Sequence, residues 1–494
     1  MHSKYSTKQL SKKAMGMMSA RQSANCEDPN PQNTLTDRLN TLLNSSGPGY
    51  ILSLCPNQQY LIEAPLLFSF ADQEISTAGY PTPDASATDQ RAILIVNGPV
   101  NNGTGHTTAV DGTCALCSGV KLRNIQINGT RAGAPPTGGG ANIEFGGSNA
   151  TGQLIEYVHS WDPRSWSCLH VQEGGLQCNN VTVQNNDIGP CGSDAFQEWA
   201  DGISMSCNNS LVQNNMINNP TDGGIVLFGA PGTQVHNNTI WVEKQTLLGG
   251  INMVDYEPYF GDFTGTVVQN NTIMGGFSTE SANSSSGTKG TDSYEAICKI
   301  GIAVGPRTWF GSEYGSNVST SGTVLNNKFT GAFAYAMAVS SAANFTIENN
   351  VLFGNTSFLG AVGPNCTVGG DAVVPTPAAF VIDTNNTQQM TMQFDFEDIP
   401  DGDGLTCVLP PADGDFWPFG GNPGSPSSTS SPSPTSSGSP GSPGKGETAG
   451  EKAAIALGVI LALVLLGAGL SRLWYVRKRK LATPSRTMPL GVKW

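Results

Sequence analysis

Four copies of one six-residue phrase occupy the middle of the chain: Val183-Gln184-Asn185-Asn186-Asp187-Ile188, Val212-Gln213-Asn214-Asn215-Met216-Ile217, Val235-His236-Asn237-Asn238-Thr239-Ile240 and Val268-Gln269-Asn270-Asn271-Thr272-Ile273. Each alternates apolar and polar residues over the length of a strand, turns at the paired asparagines and resumes at isoleucine. The copies lie 29, 23 and 33 residues apart. Periods of that size come from supersecondary units stacked on one another. Weaker copies continue the series upstream at Leu122-Arg123-Asn124-Ile125-Gln126-Ile127 and downstream at Val324-Leu325-Asn326-Asn327 and Ile347-Glu348-Asn349-Asn350.

Asparagine suits a recurring corner for two reasons. It tolerates the left-handed conformation of a tight turn, and its amide both donates and accepts hydrogen bonds, so stacked corners form a ladder. The pattern resembles the right-handed parallel β-helix of the pectin-lyase-like superfamily, over roughly residues 100–370. The resemblance implies an all-β solenoid closed by capping segments. It leaves the chemistry open, because that scaffold hosts lyases, hydrolases, epimerases, esterases and adhesins. Polygalacturonase-like members carry Asn-Thr-Asp, Asp-Asp, Gly-His-Gly and Arg-Ile-Lys. None of these occurs here, nor does a pectate-lyase calcium and arginine motif, so no catalytic residue carries over.

Composition narrows the setting. With 60 glycines and 13% charged residues, the chain fits short strands and tight corners rather than a helical bundle. Eleven cysteines point to an oxidising compartment, and their odd number leaves at least one thiol unpaired or bridging molecules. Sequons at Asn128, Asn149, Asn180, Asn270, Asn317, Asn344 and Asn365 add the marks of an exported glycoprotein, with those on the asparagine ladder expected to be buried. Seven of the 25 basic residues lie at or beyond Arg472 and five before Asn25, which leaves a body with 13 basic against 38 acidic side chains, a formal charge of −25. Such a surface repels nucleic acid and polyanionic glycans and favours a neutral polysaccharide or cell-wall glycan as partner.

In chain order, residues 1–25 read as a basic, disordered N-terminus without the apolar run of a secretory signal. This conflicts with the signs of export, so an incomplete or mis-started N-terminus is expected, with unconventional targeting second. Residues 26–110 form an N-terminal cap and first strands, including a helix at Leu35–Leu43, followed by the β-helix over 111–375 and a C-terminal cap over 376–415 that Cys407 would anchor. The Ser/Gly-rich piece Ser278–Ser293 reads as a loop leaving the coil. Cys114-Ala115-Leu116-Cys117 has redox or zinc spacing, but no second pair or histidine follows at ligand distance, so a structural disulfide or strand role is expected. Residues 416–452 form an extended, O-glycosylated Ser/Pro/Gly stalk in the style of fungal surface proteins. A transmembrane helix is expected over 453–475, since nineteen uncharged residues run from Ala453 to Ser471, with Trp474 and Tyr475 at the interface. The basic tail 476–494 stays cytoplasmic, which places the β-helix outside the plasma membrane on a single pass.

Strands that follow the corners align as Cys168-Leu169-His170-Val171, Gly202-Ile203-Ser204-Met205, Gly224-Ile225-Val226-Leu227, Gly250-Ile251-Asn252-Met253 and Gly301-Ile302-Ala303-Val304. With the isoleucines inward, His170, Ser204, Val226, Asn252 and Ala303 line one outer face, fit to floor a groove. Acids and aromatics cluster at its edges: Glu198-Trp199-Ala200-Asp201 and Thr221-Asp222 before two strands, Asp255-Tyr256-Glu257 and Arg307-Thr308-Trp309-Phe310 after others. Asp201 and Asp222 lie one coil apart, which puts them roughly 5 to 8 Å from each other. Glycosidases use carboxyl pairs about 5 to 9.5 Å apart.

The leading expectation is glycoside hydrolysis by Asp201 and Asp222, with Glu198 or Asp255 as substitutes. Trp199, Asn252, Tyr256, Glu257, Arg307, Trp309 and His170 are the substrate contacts, and Trp161, Trp166 and Tyr259 add to a run of exposed-type aromatics. The plainer reading makes Asp201-Gly202 and Asp222-Gly223 ordinary turn dipeptides. A uronate lyase or epimerase is the enzymatic alternative; it would use Arg307 or Lys299 and Ca²⁺. A non-catalytic glycan-binding or adhesion module is the third. The five scattered histidines give no metal site, and no cofactor is expected for a hydrolase. Nothing in the sequence fixes the oligomeric state.

Overall fold

The paired asparagines divide the labour of the corner between them. The first of each pair, Asn185, Asn214, Asn237, Asn270, Asn326 or Asn349, takes a positive φ of 54 to 59°. The second is buried and builds the ladder. The backbone N–H and the Nδ2 of Asn186 both donate to Oδ1 of Asn215, at 3.1 and 2.9 Å. Asn215 does the same to Asn238, Asn238 to Asn271, Asn271 to Asn327 and Asn327 to Asn350. Each amide also donates to a main-chain carbonyl one coil back, for example Asn238 to Val212 at 3.0 Å. Gln393 closes the ladder, its Oε1 accepting from Asn350.

The computed structural model describes residues 26–83, 89–193, 195, 198–276, 297–358 and 377–406. The N-terminal tail, the loop Ser278–Ser293, Asn365, Cys407, the stalk, the span at 453–475 and the tail at 476–494 lie outside the described residues. Among the described residues no helix is long and apolar enough to cross a membrane.

Within them the chain winds as a right-handed parallel β-helix. Before each corner a three-residue strand, such as Thr182–Gln184, Leu211–Gln213 or Gln234–His236, joins an 11-stranded parallel sheet. After the corner come a second short strand and then a longer one, such as Asp201–Met205 or Leu247–Met253. Both belong to a 20-stranded sheet. In Lys328–Val339 the two fuse, and that strand pairs with both Thr272–Met274 and Cys298–Val304.

Like residues stack on like. Val183, Val212, Val235, Val268 and Val324 follow one another in register and are fully buried, as do Ile203, Ile225, Ile251 and Ile302. Each such side chain contributes roughly 1.5–3 kcal/mol. At the first coil the helix Leu35–Ser45 lays Leu35, Leu39 and Leu43 over the core, which covers strand edges that would otherwise pair with another chain.

Disulfides Cys168–Cys191 and Cys178–Cys207 tie neighbouring coils, Cys26–Cys55 fastens the first strand and Cys114 bonds Cys117. The inter-coil pairs close loops of 23 and 29 residues, worth roughly 3 kcal/mol each in a loop-entropy account. Cys298 is a buried free thiol. The sequon at Asn270 sits on the exposed residue of its doublet, not on the buried one, which corrects the expectation of burial on the ladder. Tyr259 is buried with its hydroxyl donating to the Ser206 carbonyl at 2.8 Å, so it is structural rather than exposed.

The two asparagines of a doublet therefore answer differently to substitution. Asn238→Ala strands the donors of Asn215 and the Val212 carbonyl in the interior and should cost about 3 kcal/mol in urea unfolding. Asn237→Gly keeps the left-handed corner and should shift stability by less than about 0.5 kcal/mol. Equal losses from the two would contradict this division.

Candidate active site

Four stacked glycines shape the outer face. A Cβ at Gly202 would lie 2.6 Å from the Gly224 carbonyl oxygen and 2.8 Å from Ile217 Cγ2; at Gly224 the matching contacts are Gly250 O at 2.5 Å and Ile240 Cγ2 at 2.8 Å. Gly250 and Gly301 repeat the arrangement. Because glycine and the isoleucine after it are both taken up by the packed interior, positions three apart share the outer face. Ser204 Oγ accordingly donates to Asp201 Oδ2 at 2.8 Å, and the space over Gly249 is filled by Asn252 and by the Trp309 ring. His170, Ser204, Val226, Asn252 and Ala303 stand in one register row, as their alignment implies.

On this row lies a cleft of about 250 Å³. Val226 and Asn252 form its floor. Trp166, Asp201 and Asp222 stand where the strands begin, and Phe228, Val254 and Asp255 where they end. Trp309 and Phe310 close the downstream side. They belong to a four-residue helix, Arg307–Phe310, set by Gly305-Pro306 before it and ended by Gly311 at φ 56°.

Three carboxyls thus meet in one cleft. Asp201 is 4% exposed, and its Oδ1 accepts the Gly223 N–H at 2.9 Å. That approach needs glycine, since a Cβ at 223 would lie 3.2 Å from the same oxygen and 2.8 Å from Asn252 Nδ2. Asp201 therefore does serve the backbone, while its position in the cleft serves more than a turn. Burial and then the neighbouring Asp222 push its pKa well up, against the pull of Ser204 and Gly223. Burial lifts Asp222 to about 6. Burial and then Asp222 lift Asp255 to about 8. Two interacting acids titrate as a pair, so Asp201 and Asp222 together carry one charge above about pH 6 while Asp255 keeps its proton. The floor adds a further polar group: Asn252 is 2% exposed, and its Oδ1 takes no hydrogen bond within the protein.

Of the expected site residues, Asp201, Asp222, Asp255, Asn252 and Trp309 come together here. Glu198 does not line the cleft; it pairs with Arg131 at 3.5 Å. Trp199 bridges to Gly192 by main-chain pairing. Tyr256 packs against Phe260 and Tyr314, and Glu257 is exposed. Arg307 holds Asp403 through both Nε, at 2.6 Å, and Nη2, at 2.7 Å. Lys299 is fully buried, its ammonium donating to the Thr406 carbonyl. His170 Nδ1 meets Glu144 Oε2 at 2.8 Å and its ring lies edge-on to Trp166, just upstream of the cleft. Phe228 and Val254 also line the cleft and carry no signal in the sequence, whereas Trp166, Val226 and Phe310 stand in the aligned row or among the edge aromatics.

Among the described residues no three of the His, Cys, Asp and Glu side chains are grouped to hold a metal ion. A larger depression of about 450 Å³ has Glu63 as its single carboxyl. Its His106 accepts the Gly98 N–H on Nδ1 and meets the Thr108 carbonyl through Nε2.

No protein-family model and no curated protein matches this chain. Solved structures do. The Streptococcus pneumoniae surface protein and adhesin PfbA aligns at TM-score 0.44 and 12% identity, over 74% of this chain and 92% of its own. The A-module of the Azotobacter vinelandii mannuronan C-5 epimerase AlgE6 aligns at 0.42 and 13%, over 76% and 87%. The catalytic domain of a GH87 alpha-1,3-glucanase in complex with tetrasaccharides aligns at 0.38 and 15%, over 76% and 66%.

The acid cluster makes a stability prediction. Between its unfolded value near ~4 and its folded value of about 8, Asp255 binds more proton in the native state, so its contribution to stability falls as pH rises. Asp255→Asn removes that loss. Its urea midpoint, measured against the parent from about pH 5 to about pH 8.5, should gain progressively on it. Parallel curves would contradict the burial of this carboxyl.

Proposed function

We propose that the protein hydrolyses glycosidic bonds of a neutral polysaccharide in the cleft of Asp201, Asp222 and Asp255. One observation carries the reading: Asp201, Asp222 and Asp255 line one small cleft, where burial lifts Asp222 to about 6 and Asp255 to about 8. Above about pH 6 the Asp201–Asp222 pair supplies a negative charge that takes a proton from water or meets the developing oxocarbenium ion. Asp255, protonated until about pH 8, gives its proton to the departing glycosidic oxygen. The water oxygen bonds to the anomeric carbon as the C–O bond breaks; the one proton it sheds goes to the Asp201–Asp222 pair and from there restores Asp255, while its other proton stays on the new hydroxyl. Trp166 and Trp309 offer ring faces to sugar C–H groups, and a sugar hydroxyl donates to Asn252 Oδ1, which is otherwise a buried acceptor costing about 1–3 kcal/mol. The described residues that line the cleft include three acids and no cation, which supports a neutral substrate over a uronate.

The lyase alternative loses support because Arg307 is engaged by Asp403 and Lys299 by Thr406. Tethering completes the reading. The uncharged run from Ala453 to Ser471 and the basic tail beyond it support a single pass at the plasma membrane, with the β-helix outside on its stalk.

A panel of α- and β-linked glucans, mannan and xylan tests the activity by release of reducing ends. Asp222→Asn and Asp255→Asn should each reduce release about 10³-fold with melting temperature preserved or raised. The parent rate should be bell-shaped between limbs near about 6 and about 8. Unsaturated, ultraviolet-absorbing products would overturn hydrolysis in favour of elimination. Glycan binding with no product would leave an adhesion module.

A further inference from the structure

The outer face of the coil is treated differently on the two sides of the cleft. Downstream, the register row continues from Asn252 through Ala303 and Ala338 to Val381, and these last three are 0% exposed. They lie in a second apolar cluster with Ile300, Val254, Ile399 and Leu405, against which Trp309 and Phe310 pack. The helix carrying those two rings is held down by the segment from Asp403 to Leu405. Asp403 grips Arg307 with two hydrogen bonds, the Gly404 N–H donates to the Arg307 carbonyl at 2.9 Å, and the Leu405 N–H donates to the Thr308 carbonyl at 2.8 Å. The downstream end of the cleft is therefore a pinned wall.

Upstream the row is polar rather than apolar, with Ser204 and Glu144 buried and His170 half-buried. Trp166 is 36% exposed at the cleft's edge, with the His170 ring 4.8 Å away. Beyond it the strand beginnings continue in parallel register to Ile143–Gly146 and Val110–Asp111. On that same edge the depression of about 450 Å³ opens between Thr107, Thr108, Gly139 and Gly140. A chain laid along the axis crosses coils at about 4.8 Å each, so this depression lies roughly 15 Å from the acids.

We infer that the cleft is blind at the Trp309–Phe310 wall, that a polysaccharide enters it by one chain terminus only, and that the chain runs back over Trp166 toward the Thr107–Gly140 depression. Cleavage then proceeds from that terminus and releases one short unit per cut. The cleavage mode rests on the hydrolase reading above; the one-ended binding does not.

The test uses full-length Asp222→Asn protein with α- and β-linked gluco-hexaoses and a manno-hexaose, each blocked either by a bulky fluorophore at the reducing end or by a benzylidene cap at the non-reducing end. One block should abolish binding while the other weakens it by less than about two-fold. Trp166→Ala, on the same background, should weaken the hexaose about ten-fold and the disaccharide of the same linkage by clearly less. Parent enzyme should yield one short product from the first minutes of digestion. Equal binding of both blocked forms, or a ladder of intermediate products, would overturn the blind cleft and leave hydrolysis standing. One-ended binding with no hydrolysis by the parent would uphold the cleft and overturn the hydrolase reading. No binding of any hexaose, or equal losses on hexaose and disaccharide in Trp166→Ala, would overturn the proposed path.

Discussion

A hydrogen bond from one asparagine amide to the Oδ1 of the next, repeated from Asn186 to Asn350, fixes how each coil sits on the one before. Inside a protein an amide with unmet partners costs more than a met one gains. A one-residue slip would break the ladder at every step and turn the stacked valines outward. The ladder therefore sets register along the axis. Register decides which residues of distant sequence become neighbours.

That constraint reaches the cleft through the glycine column. Gly202, Gly224, Gly250 and Gly301 let each coil approach the next where a Cβ would collide with a carbonyl. The outer face can then carry Asp201 beside Ser204, and Asn252 beside the space over Gly249. Asp201 reaches across to the Gly223 N–H, which places it against Asp222. Partly withdrawn from water and close to one another, the carboxyls hold protons above their ordinary range. A structural device, the tight stack of coils, thus produces the paired acid and base that bond cleavage requires.

Much of this was legible in the sequence because stacking leaves a period. The asparagine doublets, the inward isoleucines and the neighbouring coils of Asp201 and Asp222 could be read from spacing alone. What could not be read depends on contacts without a period. Arg307 is taken by Asp403, 96 residues away, and Glu198 by Arg131, 67 residues away. Both pairs join segments outside the repeating strands, so neither leaves a repeat in the chain. The sequence also hid the two roles within each doublet, since one residue type meets both a left-handed φ and a buried amide site.

Carboxyl carbon-13 NMR titration of aspartate-labelled protein tests most directly whether stacking couples these acids. The account predicts that Asp222→Asn lowers the titration midpoints of Asp201 and of Asp255, the latter from about 8. An Asp255 that titrates near the ordinary carboxylate value in the parent, and is indifferent to Asp222, would contradict it.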